Sequence, residues 1–453
     1  MTSPPPGSSW FGHPHGLATL FFTEMWERFS YYGMRGFLIL YATASLASGG
    51  LGFDVPHGAS VYKWYTSSVW LTPILGGLIA DRFLGQYRSV FLGGVVIALG
   101  HFTLAFKSLP SFYTGLVLIV LGTGLLKPNI SAMVGSLYDQ GDARRDAGFS
   151  IFYMGINVGA FLGITAAGWL AQKIDWHIGF AAAGVGMTMG LIQYVLGKRR
   201  LQPALDRLAA QRGQVSPLAL GLAEATIGQR ARQLWDSARS FTGEERKRIA
   251  AVFVFAALFW GAYEQAGSTL NLFADRFTNL NVFGYVIPSS WLQSVQPIMV
   301  IVLAPVMAWL WVRLGPREPS SPTKFGIGLL CAGLAFLLLV PAGLFAQSGF
   351  GVKVSPLWLV AAYTIEEIGE LCLSPVGLSA VTKLAPTRIV SLMMGVFFLS
   401  NWLGNLLAGW TAGFFSSMPL AQLFGVTAAV SLGAAVVMFV LLKPVQRLMG
   451  GVR

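Results

Sequence analysis

Residues 112–137 read FYTGLVLIVLGTGLLKPNISAMVGSL, a run of 26 residues that holds a single charged side chain, Lys127. An apolar helix of about 20 residues is long enough to cross the hydrocarbon core of a bilayer. The same kind of run recurs along the chain, at residues 16–47, 61–80, 89–106, 112–137, 149–171, 178–197, 249–272, 289–312, 325–346, 356–381, 390–413 and 420–442. The sequence therefore predicts an all-α integral membrane protein with twelve transmembrane helices.

The overall composition also indicates a membrane protein. Charged residues make up only 11% of the 453 residues, whereas apolar residues make up 54%. In soluble domains about a quarter of the residues are charged. This chain has too few charged residues to form the surfaces of several water-soluble domains. Its two cysteines, Cys331 and Cys372, both lie in apolar runs. They exclude a disulfide framework and a cysteine-based metal site. We expect no metal and no organic cofactor.

The basic residues are distributed unevenly between the two sides of the membrane. An even number of spans places both termini on one side, and that side then holds 23 of the 31 Lys and Arg residues. The opposite side holds five, and three lie inside spans. Because basic loops stay in the cytoplasm, we expect a multi-pass protein of the cell membrane with both termini cytoplasmic. The net charge of +12 then reflects orientation, and nucleic acid is not expected as a partner.

The twelve runs divide into two sets of six. Residues 16–197 are expected to form one six-helix bundle and residues 249–446 the other, with no extra helix pair between them. The basic segment 198–248 is either a cytoplasmic linker that touches anionic lipid headgroups or a partner-binding segment. Residues 1–15 are expected to be a disordered tail, and residues 447–453 a cytoplasmic tail. Paired six-helix halves are typical of transporters whose substrate site lies between the halves.

A tight turn after the second span carries Asp81 and Arg82, followed by Gly85. A turn with glycine and arginine also follows the eighth span, at residues 311–317, which is the corresponding place in the second half. We interpret Asp81 and Arg82 as a structural clamp between helices at the cytoplasmic face rather than as substrate contacts.

Nine charged side chains lie deep inside the predicted spans, away from their ends. Each costs about 2.5–3.5 kcal/mol near a helix centre, so the set is tolerated only if its members pair or face water. Six carboxylates and three cations sum to −3 when all are ionised, which predicts that some of the carboxyl groups take up protons. The nine are Glu24, Glu27, Arg28, Arg35, Lys127, Glu264, Glu366, Glu367 and Glu370.

The spacing of the four charges in the first span predicts a common stripe. Glu24 and Arg28 are four residues apart and are therefore neighbours on one helix face. Glu27 lies three residues after Glu24, about one turn along. Arg35 follows Arg28 by seven residues, which is two turns or about 10 Å along the same face.

The spacing in the tenth span distinguishes its three carboxylates. Glu366 and Glu370 share a helix face, whereas Glu367 is rotated by about 100°. Glu367 is therefore the least expected of the three to face a cavity. In the fourth span, Lys127 precedes Pro128, which is expected to bend the helix beside the ammonium group.

The distribution of charge predicts the kind of ligand. The three cations come from the first six spans and suit an anionic group. Three carboxylates, Glu264, Glu366 and Glu370, come from the last six spans and suit an ammonium group. Carboxyl groups that bind and release protons suit proton-coupled transport. The residues therefore predict a proton-driven importer of a small zwitterion, with protons as the coupling ion.

Catalytic motifs are not found in the sequence. It contains neither His-Glu-x-x-His nor Gly-x-Ser-x-Gly. Glycine-rich segments at 122–127 and 184–190 lie inside apolar runs and lack the Walker spacing, which favours close helix packing. We expect the protein not to be an enzyme. Trp260 and Trp402, near the charged stretches, are either core aromatics or walls of a cavity.

The segment 24–33, EMWERFSYYG, resembles the Glu-x-x-Glu-Arg-Phe-x-Tyr-Tyr-Gly motif of the proton-dependent oligopeptide transporters, a branch of the major facilitator superfamily. The segment 149–161, FSIFYMGINVGAF, resembles a second long motif of this family. Shorter matches, in chain order, are GGLIADRFLG (76–85), GLLKPN (124–129), FWGAYEQAGS (259–268) and GELCLSP (369–375). Together they extend over nearly the whole chain.

The resemblance implies import of di- and tripeptides by alternating access. It implies proton-coupling roles for Glu24, Glu27, Arg28 and Glu264, the last as the partner of Arg35. It also implies peptide-binding roles: Arg35 and Lys127 at the carboxyl end, Glu370 at the amino terminus, Tyr32 and Asn157 along the backbone, and Trp260 and Trp402 at the side chains.

Several features depart from the family or leave its variants open. Gln296 occupies a position that is commonly Asn, and Glu366 and Glu367 lie outside the motifs. The alternative function is proton-coupled transport of nitrate, amino acids or another peptide-like metabolite, although Glu370 favours an amino-bearing substrate. We expect small peptides and membrane lipids as partners and a functional monomer.

Overall fold

Long α-helices occupy the positions of the apolar runs. The computed structural model describes residues 9–139, 142, 144–213, 242–349, 353–384 and 390–444. The first half holds α1 (His15–Thr43), α2 (Val55–Ile79), α3 (Gln86–Leu104), α4 (Leu109–Ser136), α5 (Arg145–Lys173) and α6 (Trp176–Leu196). A further helix, α7 (Lys198–Gly213), follows it. The second half holds α8 (Gly243–Tyr263), α9 (Thr269–Phe277), α10 (Val295–Leu314), α11 (Ser321–Ala346), α12 (Leu357–Leu384), α13 (Val390–Ala412) and α14 (Leu420–Val440).

Many of these helices are suited to a bilayer. Within the described residues, seven are long and apolar enough to cross a membrane: α3, α4, α5, α6, α10 with the turn before it, α11 and α14. Helix α1 is also long, but it carries two carboxylates and two arginines, and α12 carries three carboxylates. The protein is therefore a multi-pass membrane protein, and its charged helices carry most of the candidate functional side chains.

Polar side chains and prolines set the starts of several helices. The Asp54 carboxylate accepts a hydrogen bond of 2.8 Å from the backbone N–H of His57 and caps α2. Ser108 caps α4 in the same way, and Asp175 accepts from the backbone N–H of His177 to cap α6. These caps satisfy backbone donors that have no partner inside the helix.

The helices pack as two bundles. In the first half, α1 lies against α5 and α6, and α3 lies against α4 and α6. In the second half, α11 packs against α12 and α14, and α8 packs against α13. The two halves meet where α2 contacts α13 and where α5 contacts α10. This is the two-bundle architecture of the major facilitator fold.

Two glycines allow α5 to approach α1 at backbone distance. A Cβ atom added to Gly159 would lie 2.1 Å from the Met25 carbonyl oxygen, and one added to Gly163 would lie 2.2 Å from that of Phe29. Small residues permit this kind of contact between membrane helices. The contact brings α5 beside the charged stretch of α1.

The two ends of the molecule are distinguished by short hairpins. We call the face at which α1 begins the near face, and the face at which α1 ends the far face. On the near face β1 (Ser9–Trp10) pairs with β2 (His13–Pro14). On the far face β3 (Asn281–Val282) pairs with β4 (Tyr285–Val286).

The near-face hairpin corrects part of the expectation of a disordered tail over residues 1–15. Residues 9–14 are ordered because they have tertiary partners. Trp10 packs on Phe21 with ring centroids 5.4 Å apart, and the His13 ring is hydrogen-bonded to the Tyr138 hydroxyl at 2.9 Å. Arg144 donates to the Gly12 carbonyl at 3.1 Å. Residues 1–8 lie outside the described residues.

The segment between the halves also differs from the expected linker at 198–248. Its first part is α7, whose Arg207 donates to the Ser136 carbonyl at 3.2 Å and pairs with Asp139 at 2.9 Å. Its last residues already belong to α8, which begins at Gly243 rather than at residue 249. Polar residues start α8 outside the apolar run, so hydropathy places the boundary too late. Residues 214–241 and the tail 447–453 lie outside the described residues.

Candidate functional site

The charges of α1 form the first part of the site. Glu24, Glu27 and Arg28 are all buried. Arg28 Nε lies 2.9 Å from Glu24 Oε1 and 2.5 Å from Glu27 Oε2. One guanidinium thus contacts two carboxylates. The spacing of four residues indicates the Glu24 contact, whereas the contact with the adjacent Glu27 does not follow from helical spacing. The cluster carries a net charge of −1 when all three groups are ionised.

The second part of the site joins the two halves. Arg35 of α1 and Glu264 form a buried ion pair through Arg35 Nη2 and Glu264 Oε2. Arg35 Nε also donates to the Tyr62 hydroxyl of α2 at 2.7 Å. Glu264 begins a tight turn, Glu264–Gly267, that interrupts the seventh span between α8 and α9. Gly267 lies so close to the Tyr62 hydroxyl that a Cβ atom there would be 2.0 Å away.

Lys127 of α4 lies beside an aromatic ring rather than in an ion pair with a described residue. Its Nζ is 3.4 Å from the centroid of the Trp70 ring, which is a cation–π contact. The ammonium also interacts electrostatically with Glu27 and Glu24 of the α1 cluster. Lys127 therefore lies within the charged region that the sequence predicts, with its donors available to a ligand.

A cavity of about 50 Å³, lined by both polar and apolar residues, lies between the halves. Tyr32 and Arg35 reach it from α1 and Asn157 reaches it from α5. The second half contributes Tyr263 at the end of α8 and Gln296 of α10. The Gln296 amide nitrogen has no hydrogen-bond partner among the described residues. Tyr32, Arg35 and Asn157, three of the predicted binding residues, thus line one cavity.

The carboxylates of α12 are held by tyrosines from other helices. Glu370 accepts a hydrogen bond from the Tyr153 hydroxyl of α5 at 3.3 Å. Glu367 accepts one from the Tyr263 hydroxyl of α8 at 2.8 Å. Both oxygens of Glu366 lack a hydrogen-bond partner within the described part of the chain.

Among the described residues that line the cavity, none belongs to α12. Glu367, which the helical spacing makes the least expected of the three to face a cavity, is linked to the cavity through Tyr263, which bonds it and lines the cavity. Glu370 is bonded by Tyr153, which is not among the lining residues. Spacing along α12 does not give these links, because they depend on how far tyrosines of α5 and α8 reach.

The remaining predicted residues lie further from this cavity. Trp260 is buried between the Tyr263 ring and α13, where Gly404 gives it room. Trp402 is half-buried on α13. Neither is among the residues that line the cavity. Asp81 and Arg82 are exposed in the turn Ala80–Leu84, where Asp81 accepts a hydrogen bond from Gln86 at 3.1 Å.

Three tyrosines were not predicted as a group. Tyr62, Tyr153 and Tyr263 each give a hydroxyl contact to one of the buried charges. Tyr153 lies inside the long motif at 149–161, and Tyr263 lies inside the shorter match at 259–268, directly before Glu264. The sequence therefore offers one usable signal for such residues. It is a tyrosine in an apolar span, where either the same span or a neighbouring span contains a carboxylate.

Several hydrogen bonds between the halves lie towards the far face. Gly36 of α1 accepts through its carbonyl from Asn271 at 2.8 Å and from Gln293 at 2.9 Å. The Ser290 hydroxyl donates to Gln172 of α5 at 2.8 Å, and the Trp291 ring N–H donates to the Thr165 carbonyl at 2.9 Å. With the Arg35–Glu264 pair, these contacts close the cavity on the far side.

The described residues contain no group of three or more His, Cys, Asp or Glu side chains arranged to hold a metal ion. The chemistry of the site is instead that of paired charges, tyrosine hydroxyls and amides around a small space. Two helix bundles that enclose such a space define a membrane transporter of the major facilitator type.

Comparison with known proteins identifies the family. The POT family model (PTR2) matches residues 87–430. The "Uncharacterized transporter YclF" of Bacillus subtilis is 40% identical, over 99% of this chain and 97% of that protein. The "Peptide transporter YePEPT" of Yersinia enterocolitica is 38% identical, over 99% of this chain and 98% of that protein. The chain belongs to the POT family.

A solved structure gives the same result for the fold. The crystal structure of a mutant of peptide transporter POT in complex with alafosfalin matches with a TM-score of 0.85 and 40% sequence identity. The match covers 98% of this chain and 97% of that one. The family and these similar proteins are transporters rather than enzymes.

Proposed function

We propose that this protein is a proton-coupled symporter that imports di- and tripeptides by alternating access. The observation that carries the proposal is the separation of charge between the two halves. Arg35 and Lys127 belong to the first half, whereas Glu264, which pairs with Arg35, and Glu370, which is bonded by Tyr153 of the first half, belong to the second. Support also comes from the similar proteins, one named as a peptide transporter and one bound to alafosfalin.

The same separation suits the two ends of a peptide. The peptide carboxylate would bind between Arg35 and Lys127, whose ammonium contacts the Trp70 ring and no described carboxylate within ion-pair distance. The peptide ammonium would bind Glu370 beside the Tyr153 hydroxyl. Asn157, Tyr32 and the Gln296 amide line the cavity and would bond the peptide backbone. The zwitterion then spans the two bundles.

Proton coupling would use the buried carboxylates that already share cations. In the α1 cluster, Arg28 balances only one of the two charges on Glu24 and Glu27, so a proton on either acid makes the cluster neutral. Protonation of Glu264 would release Arg35 from its ion pair and free the guanidinium for the peptide carboxylate. Proton binding and peptide binding would thereby favour the same rearrangement.

Alternating access follows from the size of the cavity. At about 50 Å³ it is far below the roughly 300–1,000 Å³ of ligand pockets. The bundles must therefore move apart before a peptide can enter. The Arg35–Glu264 pair and the Gly36 hydrogen bonds would be broken when the far face opens.

The orientation in the membrane follows from the basic residues. We assign the near face, with α7 and both chain ends, to the cytoplasm of the cell, because the Lys and Arg excess lies there. The far face then opens to the outside. One chain contains both halves of the site, so the functional unit is a monomer embedded in lipid.

The test is uptake of Ala-Ala into proteoliposomes. An inward proton gradient should drive accumulation of the dipeptide, and a protonophore that collapses the gradient should abolish it. Uptake that ignores the gradient would refute proton coupling. A competition panel of dipeptides, tripeptides, free amino acids and nitrate separates the two candidate functions: if nitrate or alanine competes and peptides do not, the peptide assignment is wrong.

A further inference from the structure

Glu367 and Glu370 lie three residues apart on α12, each bonded to a tyrosine of a different helix. Tyr153 of α5 donates to Glu370, and Tyr263 of α8 donates to Glu367. Tyr263 also interacts electrostatically with Glu370, Tyr153 and Tyr32. Tyr263 is among the residues that line the cavity, and Glu367 lies directly behind its hydroxyl. We call Glu367, Glu370 and the two tyrosines that bond them the wall. The proposed binding of a peptide ammonium uses only Glu370.

The second carboxylate of this wall has an unused acceptor. Glu367 is fully buried, with 0% of its surface exposed. Its Oε1 accepts from Tyr263, but its Oε2 has no hydrogen-bond partner within the described residues. Burial of a carboxylate without full compensation is unfavourable, and a cation that reaches it removes the cost.

The described basic residues of the site have other partners. Arg35 pairs with Glu264, and Arg28 pairs with Glu24 and Glu27. Lys127 lies on the Trp70 ring. The charged groups that act on Glu367 are carboxylates, Glu370 and Glu366. Among the described residues, no Lys or Arg lies within ion-pair distance of Glu367, whose second oxygen also lacks a hydrogen-bond partner there.

Tyr263 connects this charge to the cavity. Its side chain lines the cavity while its hydroxyl bonds Glu367. It is the last residue of α8, next to the turn at Glu264, where a change in backbone direction is already present. Rotation of the Tyr263 side chain would open a path from the cavity to the Glu367 carboxylate.

We propose that Glu367 forms a second cation subsite beside Glu370, which binds the cationic side chain of a lysine- or arginine-containing peptide. The inference rests on the proposed peptide transport and adds a substrate preference to it. Glu370 takes the ammonium terminus, and Glu367, uncovered by Tyr263, takes the side-chain cation. Such a peptide supplies a cation to both Glu370 and Glu367, whereas a peptide with a neutral side chain supplies one to Glu370 only.

The test compares two dipeptides of similar length that differ in charge, Ala-Lys and Ala-norleucine, as competitors of labelled Ala-Ala uptake. In the wild-type protein, Ala-Lys should inhibit Ala-Ala uptake at a concentration about tenfold lower than Ala-norleucine does. A charge-assisted hydrogen bond changes an affinity by about this factor. In Glu367→Gln the ratio between the two competitors should fall to about one. Because both competitors are measured on the same variant, the ratio of their inhibitory concentrations is independent of any general change in transport rate.

Two further variants control this result. In Tyr263→Phe the hydroxyl no longer occupies Glu367, so the preference for Ala-Lys should stay or increase by about two- to threefold. In Glu366→Gln, which neutralises the adjacent carboxylate that no described tyrosine bonds, the ratio should remain that of the wild type. Gel filtration shows whether Glu367→Gln folds. If it does not, Tyr263→Phe still tests the proposal, because a weaker preference for Ala-Lys over Ala-norleucine in that variant would refute it.

Several outcomes overturn the inference. A wild-type protein without preference for Ala-Lys, or a Glu367→Gln variant that keeps the preference, contradicts it. A Glu367→Gln variant that changes only the pH profile of Ala-Ala uptake indicates a proton site instead of a cation subsite. Failure of the wild type to take up Ala-Ala refutes peptide transport itself. In that case, thermal stabilisation of the purified protein by each dipeptide still reports whether the cationic one binds more tightly.

Discussion

Arg35 of α1 and Glu264 at the end of α8 form a buried ion pair that joins the two bundles directly beside the cavity. Arg35 is held in place by a second bond, to the Tyr62 hydroxyl at 2.7 Å. The two side chains are 9% and 6% exposed. Removal of one partner from such a pair leaves an uncompensated buried charge, which typically costs about 3–5 kcal/mol. The pair is therefore a strong candidate for the contact that holds the far face closed.

Replacement of Glu264 by Gln should open the far face. The reporter is Ser290→Cys, because Ser290 is fully buried at the contact between α5 and the turn before α10. We expect an impermeant thiol reagent applied from outside to label this cysteine at least about tenfold faster in the Glu264→Gln background. Both native cysteines, Cys331 and Cys372, are replaced by Ala beforehand.

Ser45→Cys is the matched control for this experiment. Ser45 is exposed in the loop after α1 on the far face, independent of the ion pair. It should be labelled at the same rate in both backgrounds. If Ser290→Cys is labelled at the same rate in the wild-type and Glu264→Gln backgrounds, the ion pair is not needed to keep the far face closed. Other contacts, such as the Gly36 hydrogen bonds, would then be sufficient.

The α1 cluster could be predicted from the sequence because its geometry is local. Glu24 and Arg28 are four residues apart on one helix, and helix geometry alone makes them neighbours. The ion pair between Arg35 and Glu264 is not local, since 229 residues separate the partners. The sequence indicates this pair only through the resemblance to a family.

The tyrosines and Glu367 could not be predicted, for a physical reason. Hydropathy and spacing define the angle of a residue around its own helix, but the rotation of that helix within the bundle depends on packing. At α12, the close approach of Gly369 to α11 is one such contact: an added Cβ atom there would lie 2.9 Å from the Gly328 carbonyl oxygen. That approach constrains the rotation of α12 about its own axis, and with it the directions of Glu366, Glu367 and Glu370.

Glu24→Gln and Glu27→Gln should separate proton coupling from substrate movement. Each change removes a carboxyl group that binds Arg28 but keeps the shape and hydrogen-bonding capacity of the side chain. We expect proton-driven accumulation of Ala-Ala to be lost, with counterflow exchange of the dipeptide still measurable. The measurement is uptake into proteoliposomes with and without a proton gradient.

A carboxylate outside the cluster provides the comparison. Asp54 caps α2 on the far face, and Asn caps a helix about as well as Asp. Asp54→Asn should therefore leave driven uptake intact. If both glutamine variants concentrate the dipeptide as the wild type does, the cluster is not the proton site.

Asp175 should make the stability of the far face depend on pH. Partial burial alone would raise the pKa of this carboxyl, but hydrogen bonds from Lys107 and from the backbone and ring of His177 outweigh it and lower the pKa to about 2. A lowered pKa adds stability that is fully present above the unfolded value, near pH 4, and is lost as the pH falls towards 2. The Lys107 pair is exposed, so screening limits its effect to about 1 kcal/mol.

Asp175→Asn tests this dependence while keeping a cap for α6. The variant should be slightly less stable than the wild type at pH 7, and the difference should shrink as the pH falls from about 4 through 2, as measured by thermal unfolding in detergent. A stability difference that stays constant from pH 7 to pH 2 would show that the carboxylate contributes through packing or capping and not through its charge.

Gly163→Ala should disrupt the contact on which the α1 cluster depends. An added Cβ atom would lie 2.2 Å from the Phe29 carbonyl oxygen, and the atoms it meets are backbone and cannot rotate away. Helices α1 and α5 would have to separate, and overpacking of this kind typically costs about 1–3 kcal/mol. We expect a clearly lower unfolding temperature in detergent together with reduced dipeptide uptake.

Gly36→Ala is the matched change on the same interface, and it should have the opposite sign. The nearest atom to an added Cβ atom there is Ile164 Cγ1 at 3.6 Å, an ordinary contact. Alanine is favoured over glycine within a helix by about 0.5–1 kcal/mol, and the Gly36 carbonyl would keep its bonds from Asn271 and Gln293. The variant should therefore be as stable as the wild type or more so. If both alanine variants unfold at the wild-type temperature, the close approach of α1 and α5 is not what sets the geometry of the site.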